Sequence, residues 1–183
     1  MMVLGLLATI AALATPSMLR GLDAARGTSA ARHIAGLARL TRAQAARRSV
    51  STGLRFERDG DDYDYAIYVD GNGNGLRSQD VRRGLDPAIT PVERLGDRFP
   101  GVTIGLAPGV SGFTDGGVME QGAGAVRLGT SDTLTFTPIG TARGGTIFVR
   151  SREGRQYAVR VLGATGRTQI LEFRPEAGAW MAR

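Results

Sequence analysis

The chain has 183 residues, enough for one domain with an appendage and a sizeable core, and too few for a large multidomain enzyme. All 23 of its basic residues are Arg, set against 17 acids for a net charge of +6. Without Lys it has no Walker-A phosphate loop and no Schiff-base site, and without Cys it has no disulfide, thiolate chemistry or sulfur-ligated metal. A basic chain points to nucleic acid or an anionic membrane as partner, and 27 Gly point to turn-rich β structure.

In chain order, the segment MMVLGLLATIAALATPSML carries no charge and ends at Arg20. It is close to the ~20 apolar residues that cross a ~30 Å hydrocarbon layer as a helix, so residues 1–19 are expected to span a membrane. From Leu22 to Arg48 the pattern is amphipathic. Ile34, Leu37, Ala38, Thr41 and Ala45 share one face, with Arg32, Arg39 and Arg47 opposite. Residues 1–48 are therefore expected to form a long helix, on the order of 70 Å. Pro16 and Gly21 predict a kink near the membrane boundary, and Gly27-Thr28-Ser29 leaves open a break into two segments. Two plainer readings of the N-terminus are a signal peptide cleaved near Ala12-Leu13-Ala14, which would lack its basic n-region, and a buried core helix.

After Arg48 the period changes. Leu54, Phe56, Tyr63, Tyr65, Ile67 and Val69 fall on every second residue around Asp59-Gly60, a hairpin signal. From Asp70 to about Thr130 the sequence is loop-rich, with a short apolar run from Val102 to Leu106. Thr133 to Thr137, Thr146 to Arg150, Gln156 to Leu162 and Arg167 to Phe173 each read as a strand, and turns between the last three imply an antiparallel meander. The expected fold is α+β: a long N-terminal helix over residues 1–48, its first half membrane-spanning, then an antiparallel β-sheet or sandwich head over residues 49–183.

This plan resembles the type IV pilins, and the helical stretch is similar to the GspH/FimT family of minor pseudopilins and minor pilins. Phe136-Thr137-Pro138-Ile139-Gly140 followed by Gly144-Gly145-Thr146-Ile147 is similar to that family's Phe-x-Pro-x-Gly and Gly-Thr-Ile segment, and Asp70-Gly71-Asn72-Gly73-Asn74-Gly75 resembles its Asp-x-Asn-x-Asn-Gly turn. The family begins with a basic leader, a cleavage motif and a Glu inside the mature helix. The sequence from Met1-Met2-Val3-Leu4 starts downstream of all three, so either the start codon is placed too late, the favoured reading, or the protein cannot be processed. The resemblance implies a structural subunit of a type II secretion or type IV pilus system, held in the inner membrane by one pass with its head periplasmic or extracellular. Other pilins would be its partners through the N-terminal helix, exchanging lipid for neighbouring helices at little hydrophobic cost.

Among candidate sites, Asp70, Asn72 and Asn74 place oxygens at alternate positions before Gly75, the start of an EF-hand-type calcium loop. The nearest closing carboxylate, Asp80, falls one place early, and a plain Asn-Gly turn is the competing reading. No other cofactor is expected. For DNA uptake, the resemblance points to Gly166-Arg167-Thr168-Gln169, a partial Gly-Arg-x-Arg turn. Arg152, Arg155 and Arg160, with Arg150 and Arg174, would extend it into a phosphate-binding surface. The run Asp59, Asp61, Asp62, Asp64 reads as solvated charge at a hairpin tip, and His33 as a half-exposed helix residue. Ser111 misses the nucleophile-elbow spacing and Gly122-Ala123-Gly124 misses the dinucleotide fingerprint, so no enzyme is expected.

The charge is unevenly spread. Residues 1–48 hold seven Arg and one Asp, the whole net excess. Residues 49–142 hold eight Arg and 13 acids, and residues 143–183 hold eight Arg and three acids, so the head carries −5 in its first part and +5 in its last.

Overall fold

The computed structural model describes residues 2–107, 109, 110, 124–129 and 131–183, with side chains from residue 18 onward. A single helix, α1 (Met2–Arg48), is followed by strands β1 (Thr52–Asp59) and β2 (Asp62–Val69), a short helix α2 (Ser78–Arg82), β3 (Glu93–Arg94), a one-turn helix α3 (Leu95–Arg98) and β4 (Thr103–Ile104). Then come β5 (Val126–Arg127), β6 (Thr133–Phe136), β7 (Gly145–Arg150), β8 (Gln156–Val161), β9 (Thr168–Arg174), a 3-10 turn (Pro175–Ala177) and β10 (Ala179–Ala182). The class is α+β, as the sequence predicts.

Among the described residues the strands form two antiparallel sheets, one in the order β3-β2-β1-β6 and the other in the order β10-β9-β8-β7-β4, with β5 also pairing β7. The Asp59-Gly60 signal is met: β1 and β2 pair from Thr52↔Val69 to Asp59↔Asp62, and Gly60 at φ 60 fits the first central position of a type II′ turn. The meander is also met and gains β10, which pairs β9 through Trp180↔Phe173.

The long helix packs on both sheets, touching β1 and β6 of one and β7, β8 and β9 of the other. Its Ala30, Ala31, Ile34, Ala35, Ala38, Thr41 and Ala45 are fully buried, while Arg32, Arg39 and Arg47 are exposed, so the predicted face is the packed one. Leu54, Phe56, Ile67, Leu134 and Phe136 meet it from the first sheet, and Ile147, Val149, Tyr157 and Val159 from the second. The opposite face of the second sheet carries Phe148, which packs on Trp180 at 5.6 Å between ring centroids, and Trp180 in turn meets Phe173 at 5.4 Å.

The break left open at Gly27-Thr28-Ser29 does not occur, and α1 runs through it uninterrupted. The Thr28 hydroxyl donates to the Ala24 carbonyl at 2.9 Å, so it bonds within the helix rather than capping a new one. Gly27 is there for packing: a Cβ at this position would lie 2.5 Å from Cε2 of the fully buried Tyr157 ring. Beyond this contact the helix leaves the head, and Met18, Leu19 and Leu22 stand exposed. The expected membrane segment, residues 1–19, lies mostly outside the residues whose side chains are described; among the described residues no helix is long and apolar enough to cross a membrane.

Candidate functional site

Where α1 emerges from the head it is clasped by the turn between β7 and β8. The Ser151 hydroxyl donates to Asp23 Oδ2 at 2.5 Å and accepts the Arg155 backbone N–H at 3.2 Å. The Tyr157 phenol donates to the Ala24 carbonyl at 3.2 Å. Asp23, the one acid of residues 1–48, is buried and so serves the joint between stalk and head.

Further along α1, His33 is packed against Tyr65 of β2 and Phe99, with ring centroids 6.3 and 5.7 Å away. Its Nε2 is 3.6 Å from Glu93 Oε2, and Arg98 lies 3.8 Å from the other oxygen of that carboxylate. His33 is thus more enclosed than a half-exposed helix residue. Burial, then the Arg98 charge, hold its pKa below the ordinary histidine value, against the raising effect of Glu93. Burial, then Glu93, push the Tyr65 phenol up. Neither His33 Nε2 nor the Tyr65 hydroxyl has a hydrogen-bond partner.

The aspartates at the hairpin tip do more than meet solvent. Arg94 pairs with both Asp59 and Asp64, the latter at 2.8 Å, tying β3 to the hairpin. Asp62 Oδ1 accepts the Ile104 and Tyr63 backbone N–H groups, both at 2.9 Å. These bonds tie the hairpin tip to β3 and β4.

In the loop after β2, Asp70 Oδ1 accepts the Gly73 N–H and Oδ2 the Gly75 N–H, both at 2.8 Å, while Asn72 Oδ1 accepts the Asn74 N–H at 3.1 Å. Asn74 Nδ2 donates to Asp80 Oδ2 at 3.1 Å, which joins two of the four predicted calcium residues. A fifth, Asp86, is buried and accepts the backbone N–H groups of Gly71 and Arg77, each at 3.1 Å. Alternate spacing reveals the first three but gives no hint of Asp86, which lies beyond α2. Both Asp70 oxygens are turned to backbone donors, and among the described residues no group of three or more His, Cys, Asp or Glu is placed to hold a metal ion.

The four predicted DNA-contacting arginines are spread along the length of β8. Arg152 and Arg155 lie in the β7–β8 turn beside the helix exit, whereas Arg167 lies beyond the other end of β8, about 20 Å away at ~3.3 Å per strand residue. Arg155 is 3.7 Å from Glu172, a buried carboxylate also approached by Arg174 at 3.9 Å and Arg183 at 2.7 Å. Arg160 is half-buried within β8, in register with Thr146 and Gln169.

A different arginine, Arg42, lies against the turn that leads into Arg167. Gly140 and Gly166 are in such close approach that a Cβ on Gly166 would lie 2.6 Å from the Gly140 carbonyl oxygen. Arg42 of α1 lies over both, its Nη2 3.0 Å from a Cβ built on Gly140 and its Nε 3.2 Å from one on Gly166. Arg42 and Arg167 are exposed, without an acidic partner among the described residues. Helical spacing from Thr41 places Arg42 off the buried stripe, but its meeting with the 163–166 turn is a long-range contact that sequence reading misses.

Ser111, Gly122 and Ala123 lie outside the described residues, and Gly124 leads into β5 rather than a helix. No family model, curated protein or solved structure matches this chain.

Proposed function

We propose that the chain is a structural, pilin-like subunit of a type II secretion or type IV pilus system. In this reading residues 1–19 anchor it in the inner membrane, the head stands outside the cytoplasm, and the same apolar helix serves as its contact with other pilins. The supporting observation is the continuity of α1: one helix runs from a fully buried alanine-rich stripe in the head to exposed Met18, Leu19 and Leu22, and on into a segment without a charge. The Asp23–Ser151 and Gly27–Tyr157 contacts fix the angle at which that segment leaves the head. Expressed with its N-terminus intact, the chain is expected to stay in the membrane pellet after a carbonate wash, while a chain lacking residues 1–22 is released. Release of the intact chain would reject the reading.

DNA capture is the second reading, favoured by the packing of Arg42 against Gly140 and Gly166, next to Arg167 in sequence, rather than by Arg152 and Arg155. It predicts a strongly salt-dependent retardation of duplex DNA that shrinks in Arg42→Ala and Arg167→Ala.

A further inference from the structure

The segment Phe136-Thr137-Pro138-Ile139-Gly140 does more than close β6. Phe136 is fully buried, yet Ile139, three residues later, is 86% exposed. It is held out by a stiff turn. Gly140 N–H donates to the Thr137 carbonyl at 2.9 Å, Thr137 N–H to the Thr141 carbonyl at 2.9 Å, and the Thr137 and Thr141 hydroxyls pair at 2.7 Å. Pro138 sits where a turn favours it. A large aliphatic side chain on so fixed a support loses little freedom on binding. Leu162, 42% exposed, stands in the adjoining turn, which also leads into exposed Arg167, and Arg42 lies against Gly140 and Gly166 of the two turns. No Asp or Glu occurs between Asp132 and Glu153 or between Glu153 and Glu172, so these turns form a basic end with an apolar centre.

The opposite end of the head has the complementary character. Residues 57–64, at the β1–β2 tip, hold five acids and one Arg; Arg94 already pairs with Asp59 and Asp64, Glu57 and Asp61 are exposed, and Val92, 62% exposed, borders them just before Glu93. The two ends are separated along α1. Tyr65 meets His33, Arg42 lies nine residues further on, about 14 Å at ~1.5 Å per residue, and the hairpin tip lies on the far side of Tyr65.

We propose that a second copy of this chain docks head to tail, the Ile139–Leu162 knob with Arg42 and Arg167 seating on the acidic β1–β2 tip and Val92 of the next copy. Opposite charges set the register, and the apolar centre supplies what a phosphate backbone does not need. Two different surfaces at opposite ends make the contact heterologous, so it repeats into a chain of copies instead of closing into a dimer.

The absence of Cys makes the test direct. Full-length single-cysteine variants Ala164→Cys, at the basic end, and Arg58→Cys, at the acidic tip, are mixed in detergent micelles and oxidised. The mixture is expected to give several-fold more disulfide-linked dimer than either variant alone, and high salt or Arg42→Glu with Arg167→Glu in the Ala164→Cys chain should suppress it. Glu57→Arg with Asp61→Arg in the Arg58→Cys chain should restore it. Association through the apolar helix raises all three dimers alike, so an equal yield from the mixture and from each variant alone overturns the proposal. So does cross-linking indifferent to the charge reversal while the same reversal abolishes DNA retardation, which would make the basic end a nucleic-acid surface.

Discussion

At Asp23 to Gly27, α1 meets the second sheet through groups that all have partners, whereas at His33 it meets the first sheet through groups that do not. In the first contact a carboxylate, a hydroxyl and a phenol are satisfied, and a glycine admits an aromatic ring. In the second, an imidazole nitrogen and a phenol are buried without hydrogen bonds beside a carboxylate at 3.6 Å. The first contact defines how the stalk leaves the head. The second ties β3 and α3 to the helix at a cost that grows when His33 is protonated.

The largest way to break this contrast is Gly27→Leu. The Tyr157 ring has no room to retreat, so overpacking should cost about 3 kcal/mol in denaturant unfolding, despite the better helix propensity of Leu. Asp23→Ala removes a charged acceptor and strands the Ser151 hydroxyl, for an expected loss of about 2 kcal/mol by the same measurement.

At the other contact the expected effect is pH-dependent. Because the folded state holds His33 below the ordinary value of 6.5, the unfolded chain binds the proton more readily. The stability contribution is therefore present above that value and lost as pH falls through it. The melting temperature should fall between pH 7.5 and 5.5, and His33→Phe should flatten that fall while leaving the neutral-pH value nearly unchanged; an identical fall in the variant would show that another group titrates. The smallest effect is at Arg55, whose Nε and Nη1 are buried without partners on the outer side of β1. Arg55→Met should be neutral or stabilising by about 1 kcal/mol, since it removes donors that make no bond.

The strands β6 to β9 are legible in the sequence because alternation and turn residues act locally, and the buried stripe of α1 is legible for the same reason. Gly27 is misread as a possible helix end because its cause, the Tyr157 ring, is far along the chain. β10 escapes because Ala179-Trp180-Met181-Ala182 is short and lacks alternation; it exists because Trp180 packs on Phe148 and Phe173. The grouping of the predicted arginines is set in a similar way: neighbours on one meander are carried to opposite ends of β8, and Glu172 gathers Arg155 with Arg174 and Arg183. The calcium-like loop is legible as a turn, whereas its closing residue Asp86 is set by tertiary contacts.

The claim that α1 passes from a packed head into lipid is tested most directly by cysteine scanning of this Cys-free chain. Ala8→Cys, Ala12→Cys and Ser29→Cys variants in sealed membrane vesicles with the head outward are treated with a membrane-impermeant maleimide. Labelling is expected at position 29, with protection at 8 and 12 that is lost when detergent is added. Equal labelling at all three positions in intact vesicles would contradict it.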